Sequence, residues 1–366
     1  MSGADSGPKP ARIKDVAARA GVSLKTVTNV VHDRPYVSAS TRARVKAAIA
    51  ELGYRPSLAG RQLQSGRSNT VTLAVPRIDE PYLGALAHAM IAAATARGFT
   101  MLIDETGRNA EHEALAASGY PGHGIEGVIF SPAALDPQNL AYMSHNVPMV
   151  LLGEHLAHST ADHVAIDNVQ SARDLVRHLL GQGRTRIGFL GAKPARPSSV
   201  GGLRYDGYRQ ELASAGIQVP KSWVIEAYPY TREEGETRAI TLMPHLAEMD
   251  AIICASDLLA IGAMRALRRH HIRVPDDVAV VGWDNTVDAR YHSPSLTSVA
   301  SDLPRLAELT LETLIRRIDG DRAPGVSYVV PHELVVRESS ARAAPSSPTM
   351  MASNRDGVGF ETRSPG

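Results

Sequence analysis

The sequence predicts a multidomain chain: an all-α helix–turn–helix head followed by a larger α/β body of two lobes with parallel sheets. Three observations carry this. Residues 13–31, "IKDVAARAGVSLKTVTNVV", hold two short helical patterns parted by one glycine. From about Thr70 the rhythm changes to short β-branched runs alternating with helical stretches. Charge divides the same way: residues 1–70 hold 12 Lys and Arg against 4 Asp and Glu, and the rest of the chain holds 27 against 34.

A chain of 366 residues is long enough for two or three domains with real cores. Its 43% apolar and 21% charged residues are ordinary for a globular protein. No run of about 18 apolar residues exists, which excludes a membrane-spanning helix. The stretch "MSGADSGPKPARIKD" lacks the apolar core of a secretory signal, so a cytoplasmic protein is expected. The single cysteine, Cys254 in "DAIICA", excludes an internal disulfide and a multi-cysteine metal site, and reads as a small core residue. A small basic head on a large acidic body points to a polyanionic partner for the head.

Within the head, Val16, Ala17 and Ala20 form one apolar strip, with Asp15 in the first turn where a carboxylate suits the helix dipole. Gly21 is suited to a left-handed exit from that helix, and Ser23 to capping the next. Val27, Val30 and Val31 then face inward and leave Leu24, Lys25, Thr28 and Asn29 outward. That outward face has the chemistry to read bases. Lysine donates to guanine O6 and N7, asparagine pairs with adenine N6 and N7, and leucine touches a thymine methyl. The second helix of a helix–turn–helix enters the major groove. Around it Ser23, Thr26, Thr28, Tyr36, Ser38, Thr41 and Arg42 are placed to hold phosphates.

A third helix follows in "SASTRARVKAAIAELGYRP", with Val45, Ala48, Ile49 and Leu52 inward and Gly53 at its end. Next, Leu58 to Gln64 spans only about two helical turns and contains Gly60, so it reads as a linker that becomes helical when something holds it. In the body, "TVTLAV", "FTMLID", "GVIF", "PMVLL", "RIGFLG", "SWVIEA", "DAIICA" and "VAVVGW" read as strands. Strands apolar on both faces and spaced by helices imply covered parallel sheets. Their number exceeds one compact sheet, so two similar lobes are expected, with a ligand cleft beyond the strand ends between them.

Ile13 to Gly66 closely resembles the head of the lactose-repressor (LacI/GalR-type) family of bacterial transcription regulators. The resemblance is carried by the helix–turn–helix followed by "VSASTRARVKAAIAELGYRPSLAGRQL". It continues to about Ser340 through "DEPYLGALAHAM", "IEGVIFSP", "DHVAIDN", "GLRYDGY", "ASDLLAIGAMRALRRHHIRVPDDVAVVGWDN" and "YHSPSLTSV". It implies a periplasmic-binding-protein-like body whose cleft holds a small effector, commonly a sugar or nucleobase, that alters the grip on DNA. The family's base-reading positions fall on Leu24, Lys25 and Asn29. Its minor-groove leucine falls on Leu63, with Arg61 beside it on the hinge helix. Its main polar effector contacts fall on Arg204 and Asp257. Tyr82 and Tyr230 fall near its aromatic stacking positions, and Trp283 and Asp284, at a strand end, are expected to line the cleft. Gly153 stands where some members carry an effector-binding aspartate.

The expected organisation is a disordered 1–11, a DNA-binding domain over 12–56, a hinge and linker over 57–69, a two-lobed effector and dimerisation domain over 70–340, and a disordered tail over 341–366. The tail has no leucine heptad, which favours a homodimer over a tetramer. The expected partners are a near-palindromic operator and a sugar-like effector, with no cofactor or metal and no membrane. An enzyme working in the same cleft is the principal alternative, but the sequence offers no recognisable nucleophile or acid–base pair and such an enzyme leaves the basic head unused. A periplasmic-type binding protein and an effector-free architectural DNA binder are weaker alternatives. "GHGIEG" matches a dinucleotide pattern but precedes a strand instead of following one.

Overall fold

The computed structural model describes residues 11–31, 33–54, 67–135, 147–153 and 161–341. The hinge positions Arg61 and Leu63, Gly60, the first ten residues and the tail from 342 onward lie outside the described residues.

The head consists of α1 (Ile13–Ala20), α2 (Leu24–Val31) and α3 (Ala39–Leu52). Asp15 accepts a hydrogen bond from the Arg12 backbone N–H at 2.8 Å, closing the first turn of α1. Gly21 takes φ 62°, and its N–H returns to the α1 carbonyls, so the turn uses the left-handed region that glycine reaches without a Cβ clash. Ser38 caps α3 by accepting from the Thr41 N–H. Val16, Ala17, Ala20, Val27, Val30, Val45 and Ala48 close one small core, with Ile49 and Leu52 packed against it.

The body follows as β1 (Thr70–Val75), α4 (Pro81–Ala96), β2 (Thr100–Glu105), α5 (Ala110–Ala117), β3 (Gly127–Phe130), β4 (Met149–Leu152), β5 (Asp162–Ile166) and α6 (Asn168–Gly181). Then come β6 (Ile187–Ala192), α7 (Val200–Ser214), β7 (Val224–Glu226), α8 (Arg232–Leu242), β8 (Ala251–Cys254), α9 (Asp257–Arg269), β9 (Ala279–Trp283), α10 (Val287–Tyr291), β10 (Thr297–Ser301), α11 (Leu303–Ile318), β11 (Ser327–Val330) and β12 (His332–Val335).

These strands form two six-stranded sheets, ordered β11-β5-β4-β3-β1-β2 and β12-β10-β9-β8-β6-β7. Every pairing is parallel except β10 with β12. Helices cover both faces, as expected where strand residues are buried on both sides. In the first lobe Leu73, Met90, Ile129, Leu311 and Leu314 meet in the core; in the second, Phe189, Tyr208, Ile253, Leu259 and Leu267 do. The second lobe packs α8 closely on α9 because Gly235 and Gly262 face each other's helix, where a Cβ would come within 2.4 Å of the Leu259 carbonyl and 2.0 Å of the Arg232 carbonyl.

The lobes are not consecutive halves of the chain. It passes between them at Asp167, at Asp302 and at Pro331, each the one residue separating an element of one lobe from an element of the other. Asp167 and Asp302 also cap the helices they introduce, accepting from the Gln170 and Arg305 N–H groups. The hinge between lobes is therefore three short strands of backbone, with two of the three ends pinned by a helix cap. Among the described residues no helix is long and apolar enough to cross a membrane.

Candidate functional site

The head presents its polar face as the sequence predicts. Leu24 is 51% exposed and Lys25 is exposed, while Thr28 and Asn29 are half-buried beside them. The Tyr36 hydroxyl donates to Asn29 Oδ1 at 3.3 Å, although the ring itself is 72% exposed. Ser23 caps α2: its hydroxyl accepts from the Thr26 N–H at 3.2 Å and bonds the Thr26 hydroxyl at 2.9 Å. Ser38 donates to the Thr41 hydroxyl at 2.9 Å. Arg42 is engaged within the head. Its guanidinium pairs with Asp33 and donates to the Arg34 carbonyl at 2.6 Å, bracing the loop that carries Tyr36.

Between the lobes lies a cavity of about 200 Å³. Arg204, on α7, is its most constrained polar group. The guanidinium donates to Asn168 Oδ1 at 2.9 Å and to the Ala255 carbonyl at 2.5 Å, and it lies over the Trp283 ring at 4.8 Å. Burial pulls its pKa down, opposed chiefly by the nearby Asp284 carboxylate. Asp284 lines the cavity at the end of β9 with φ 105°, a backbone conformation that side-chain-bearing residues rarely take. The loop around it is heavily tied: the Asp284 N–H donates to the Val299 carbonyl at 2.9 Å, and the Asn285 N–H donates to the Ser298 hydroxyl at 2.9 Å. Burial pushes the Asp284 carboxyl well above the usual range, and Arg204 pulls against it.

Two expected cleft residues sit elsewhere. Asp257 is fully buried, and its oxygens accept from the Thr286 N–H at 2.8 Å, the Thr286 hydroxyl at 3.1 Å and the Ser298 hydroxyl at 2.6 Å. It turns under the cavity floor because Gly282 leaves room there; a Cβ at Gly282 would come 2.6 Å from Asp257 Oδ1. Its neighbours Ser256 and Leu258 reach the cavity instead. Trp283 is fully buried too, and its indole N–H donates to the Ser171 hydroxyl at 3.1 Å. Successive strand residues point to opposite faces, so Trp283 lies behind Arg204 as its platform and does not line the cleft.

Tyr82 and Tyr230 both line the cavity. The Tyr82 hydroxyl lies beside Ser301, and the Tyr230 hydroxyl donates to the Gly191 carbonyl at 2.9 Å. The Tyr230 hydroxyl also occupies the space that a side chain at Gly201 would need. Several lining groups were not singled out in the sequence: Asn168, Lys193, Tyr228, Glu80 and Ser131. Lys193 Nζ stands 3.7 Å from the Tyr228 ring centroid, and Arg108 of the first lobe reaches the same ring at 5.4 Å while pairing with Glu80. Tyr228 was legible in the sequence, two residues before Tyr230 in "YPY". Arg108 was not, because its partner lies in the other lobe. Among the described residues no group of three or more His, Cys, Asp and Glu could hold a metal ion.

Comparison with known proteins agrees with this architecture. Residues 12–57 match the model of bacterial regulatory proteins of the lacI family, and residues 176–340 match that of a periplasmic binding protein-like domain. The HTH-type transcriptional regulator DegA of Bacillus subtilis (strain 168) is 30% identical over 333 residues, covering 90% of this chain and 98% of DegA. The Lac repressor dimer bound to operator and the anti-inducer ONPF aligns with a TM-score of 0.80 at 27% identity, over 91% of this chain and all of that one. The complex of the transcriptional regulator CelR with cellobiose aligns with a TM-score of 0.67 at 30% identity, over 90% of this chain and 99% of that one. These relatives are regulators and not enzymes, and the chain is a DNA-binding regulator of the same build. It belongs to the lacI family of bacterial regulatory proteins.

Proposed function

We propose that this regulator is a homodimeric repressor of a near-palindromic operator, and that a small sugar-like effector held between the lobes sets its operator affinity. The observation that carries the reading is the position of the cavity: Arg204 reaches it while bonded to Asn168, the first residue after the Asp167 crossing. A ligand engaging Arg204 and Asp284 therefore acts at the hinge between lobes, where a small change of geometry alters both. Tyr82 and Tyr230 frame the same ligand from either lobe. Asp257 and Trp283 support it indirectly, by holding the Asp284 loop and the Arg204 plane.

In the head, Leu24, Lys25 and Asn29 read base edges, with Tyr36 orienting Asn29. Ser23, Thr26, Thr28, Ser38 and Thr41 contact the backbone. Leu63 and Arg61 enter the minor groove at the centre of the site. Exposed apolar side chains in both lobes are available to a dimer interface. These are Ile91, Leu102, Ile103 and Leu115 in the first, and Ile240, Val287 and Tyr291 in the second, with Tyr291 79% exposed.

The deciding experiment is a selection of random DNA duplexes on the purified chain, without effector and at fixed salt. An inverted repeat with a fixed centre supports the dimeric repressor. Recovery of unenriched DNA rejects the free protein as the operator-binding form.

A further inference from the structure

In the head, the loop between α2 and α3 ties the recognition face to the start of α3. Arg42 stands in the first turn of α3, where its N–H donates to the Ser38 carbonyl at 3.0 Å, so the root of its side chain is fixed. From there the guanidinium fork reaches back across the loop. One outer nitrogen pairs with the Asp33 carboxylate, and the other donates to the Arg34 carbonyl at 2.6 Å. Arg34 is held from its other side as well, because its N–H donates to the Asn29 carbonyl at 2.9 Å. Two residues on, the Tyr36 hydroxyl donates to Asn29 Oδ1 at 3.3 Å. The fork therefore grips a loop that bonds Asn29 twice, once on its backbone and once on its side chain. Within that loop Asp33 takes φ 52°, a left-handed conformation that few side-chain-bearing residues adopt, and the ion pair holds its carboxylate there. An amide oxygen has two lone pairs, so the bond from Tyr36 orients the Asn29 amide and still leaves it able to accept from a base.

Resting on the reading that Asn29 meets a base edge, we propose that Arg42 is a positioning residue for sequence readout. By clamping Asp33 and Arg34 it holds the loop through which Arg34 and Tyr36 aim the Asn29 amide. A bidentate contact of this kind discriminates about 5- to 150-fold against the wrong base, and only while the amide keeps its place. The phosphate contact expected of Arg42 from the sequence is separable from this role. A phosphate contact needs a cation at this place, which lysine also supplies, whereas the clamp needs the planar fork, which lysine lacks. Each phosphate contact also adds about 0.9 to the slope of log affinity against log salt, for every sequence alike. Positioning leaves that slope unchanged and acts at one base pair.

The test uses the full chain, the operator recovered by the selection above, and duplexes changed from it at single base pairs. Affinities are measured over a series of salt concentrations for Arg42→Lys, Arg42→Gln and Asp33→Asn, each alone and combined with Asn29→Ala. Asparagine tolerates the left-handed backbone at position 33 while removing the charge. Arg42→Lys should lower discrimination at least about fivefold at the base pair that Asn29→Ala relaxes, and leave the other positions unchanged. Arg42→Gln should keep the salt slope of the unmodified chain, and Asp33→Asn should relax the same base pair more weakly. Combined with Asn29→Ala, none of the three should change discrimination further, because residues acting through one contact are not additive. Uniform weakening of all duplexes by Arg42→Gln, with a shallower salt slope, makes Arg42 a phosphate contact and overturns the proposal. Full discrimination in Arg42→Lys overturns it too. If far-UV circular dichroism shows the Arg42 variants unfolded, Asp33→Asn decides, and unchanged discrimination there rejects the clamp. Uniform weakening by Asn29→Ala alone removes the base-reading role of Asn29 and its positioning together, a failure recognised without any change at Arg42.

Discussion

Arg67 Nη1 donates to Asp319 Oδ1 at 2.9 Å, joining residues 252 positions apart. Asp319 ends α11, and α11 begins directly after the Asp302 crossing and gives Leu306 to the cavity wall. Arg67, Ser68 and the Asn69 N–H also converge on Glu126, at 3.2, 3.1 and 2.7 Å. A 16-residue helix is about 24 Å long, so one rigid element runs from the cavity to the point where the chain leaves the linker.

Asp319→Asn should therefore separate stability from communication. Both side chains are more than a third exposed, so the pair contributes at most about 1 kcal/mol to folding. The change in operator affinity on adding effector, about 5- to 150-fold in typical allosteric proteins, should shrink toward unity. Operator titrations with and without effector measure it. A full response in the mutant would reduce the pair to a surface contact.

Glu113 gives a second separation. It is fully buried on α5, and its two oxygens accept from the backbone N–H groups of Ala133, Ala134 and Leu135 at 2.8 to 3.0 Å. Those residues continue the loop whose Ser131, Pro132 and Ala133 line the cavity. Glu113→Gln turns an amide NH₂ toward backbone donors and should cost about 1–3 kcal/mol of stability. Chemical denaturation reads that loss. Effector affinity should fall as well, with operator binding by the free protein retained.

How much of this was legible in the sequence depended on the range of the interaction. Much of the head was legible residue by residue, because caps such as Ser23 and the apolar strip of Val16, Ala17 and Ala20 are local patterns. Eight strands were legible as apolar runs; β5 and β10 were not, because polar residues such as Asp162, His163, Thr297 and Ser298 break the run. β11 and β12 were not: each is short, and each pairs with a strand far back in the chain, Val330 with Ile166 and Val335 with Ser298. The interleaving of the lobes was hidden for the same reason. At the cavity, Arg204 and Asp284 were found, but the depth of Asp257 and Trp283 was not. Which side of a strand end faces a cleft depends on neighbours such as Gly282, which no linear pattern places.

For the recognition face, Asn29→Ala should weaken operator binding by about 1–3 kcal/mol and relax preference at one base pair. Tyr36→Phe removes only the hydroxyl that donates to Asn29, so its loss of specificity should be smaller and confined to the same base pair. Affinities for a panel of single-base operator variants distinguish the outcomes. Uniform weakening across the panel in Asn29→Ala would make Asn29 a backbone contact.

The last prediction concerns pH. Burial raises the carboxyl of Asp284, and also that of Asp257, above their ordinary value of 3.8 in the folded chain. Arg204 partly offsets this at Asp284, whereas Asp257 and Glu80 reinforce it. A raised acid pKa means that the folded state binds more protons than the unfolded one. These groups therefore favour folding at acidic pH and withdraw that contribution as pH climbs from the ordinary carboxylate range through the raised folded values. Each contributes at most about 1.4 kcal/mol per pH unit across its own window. The effector-free protein should thus gain stability on going from pH 8 to pH 6. Asp284→Asn should flatten that slope, because an amide has no proton to exchange. Thermal denaturation of both proteins between pH 5 and 8 is the measurement. Parallel slopes would mean that Asp284 is ionised in the folded chain throughout, with Arg204 outweighing the cost of burial.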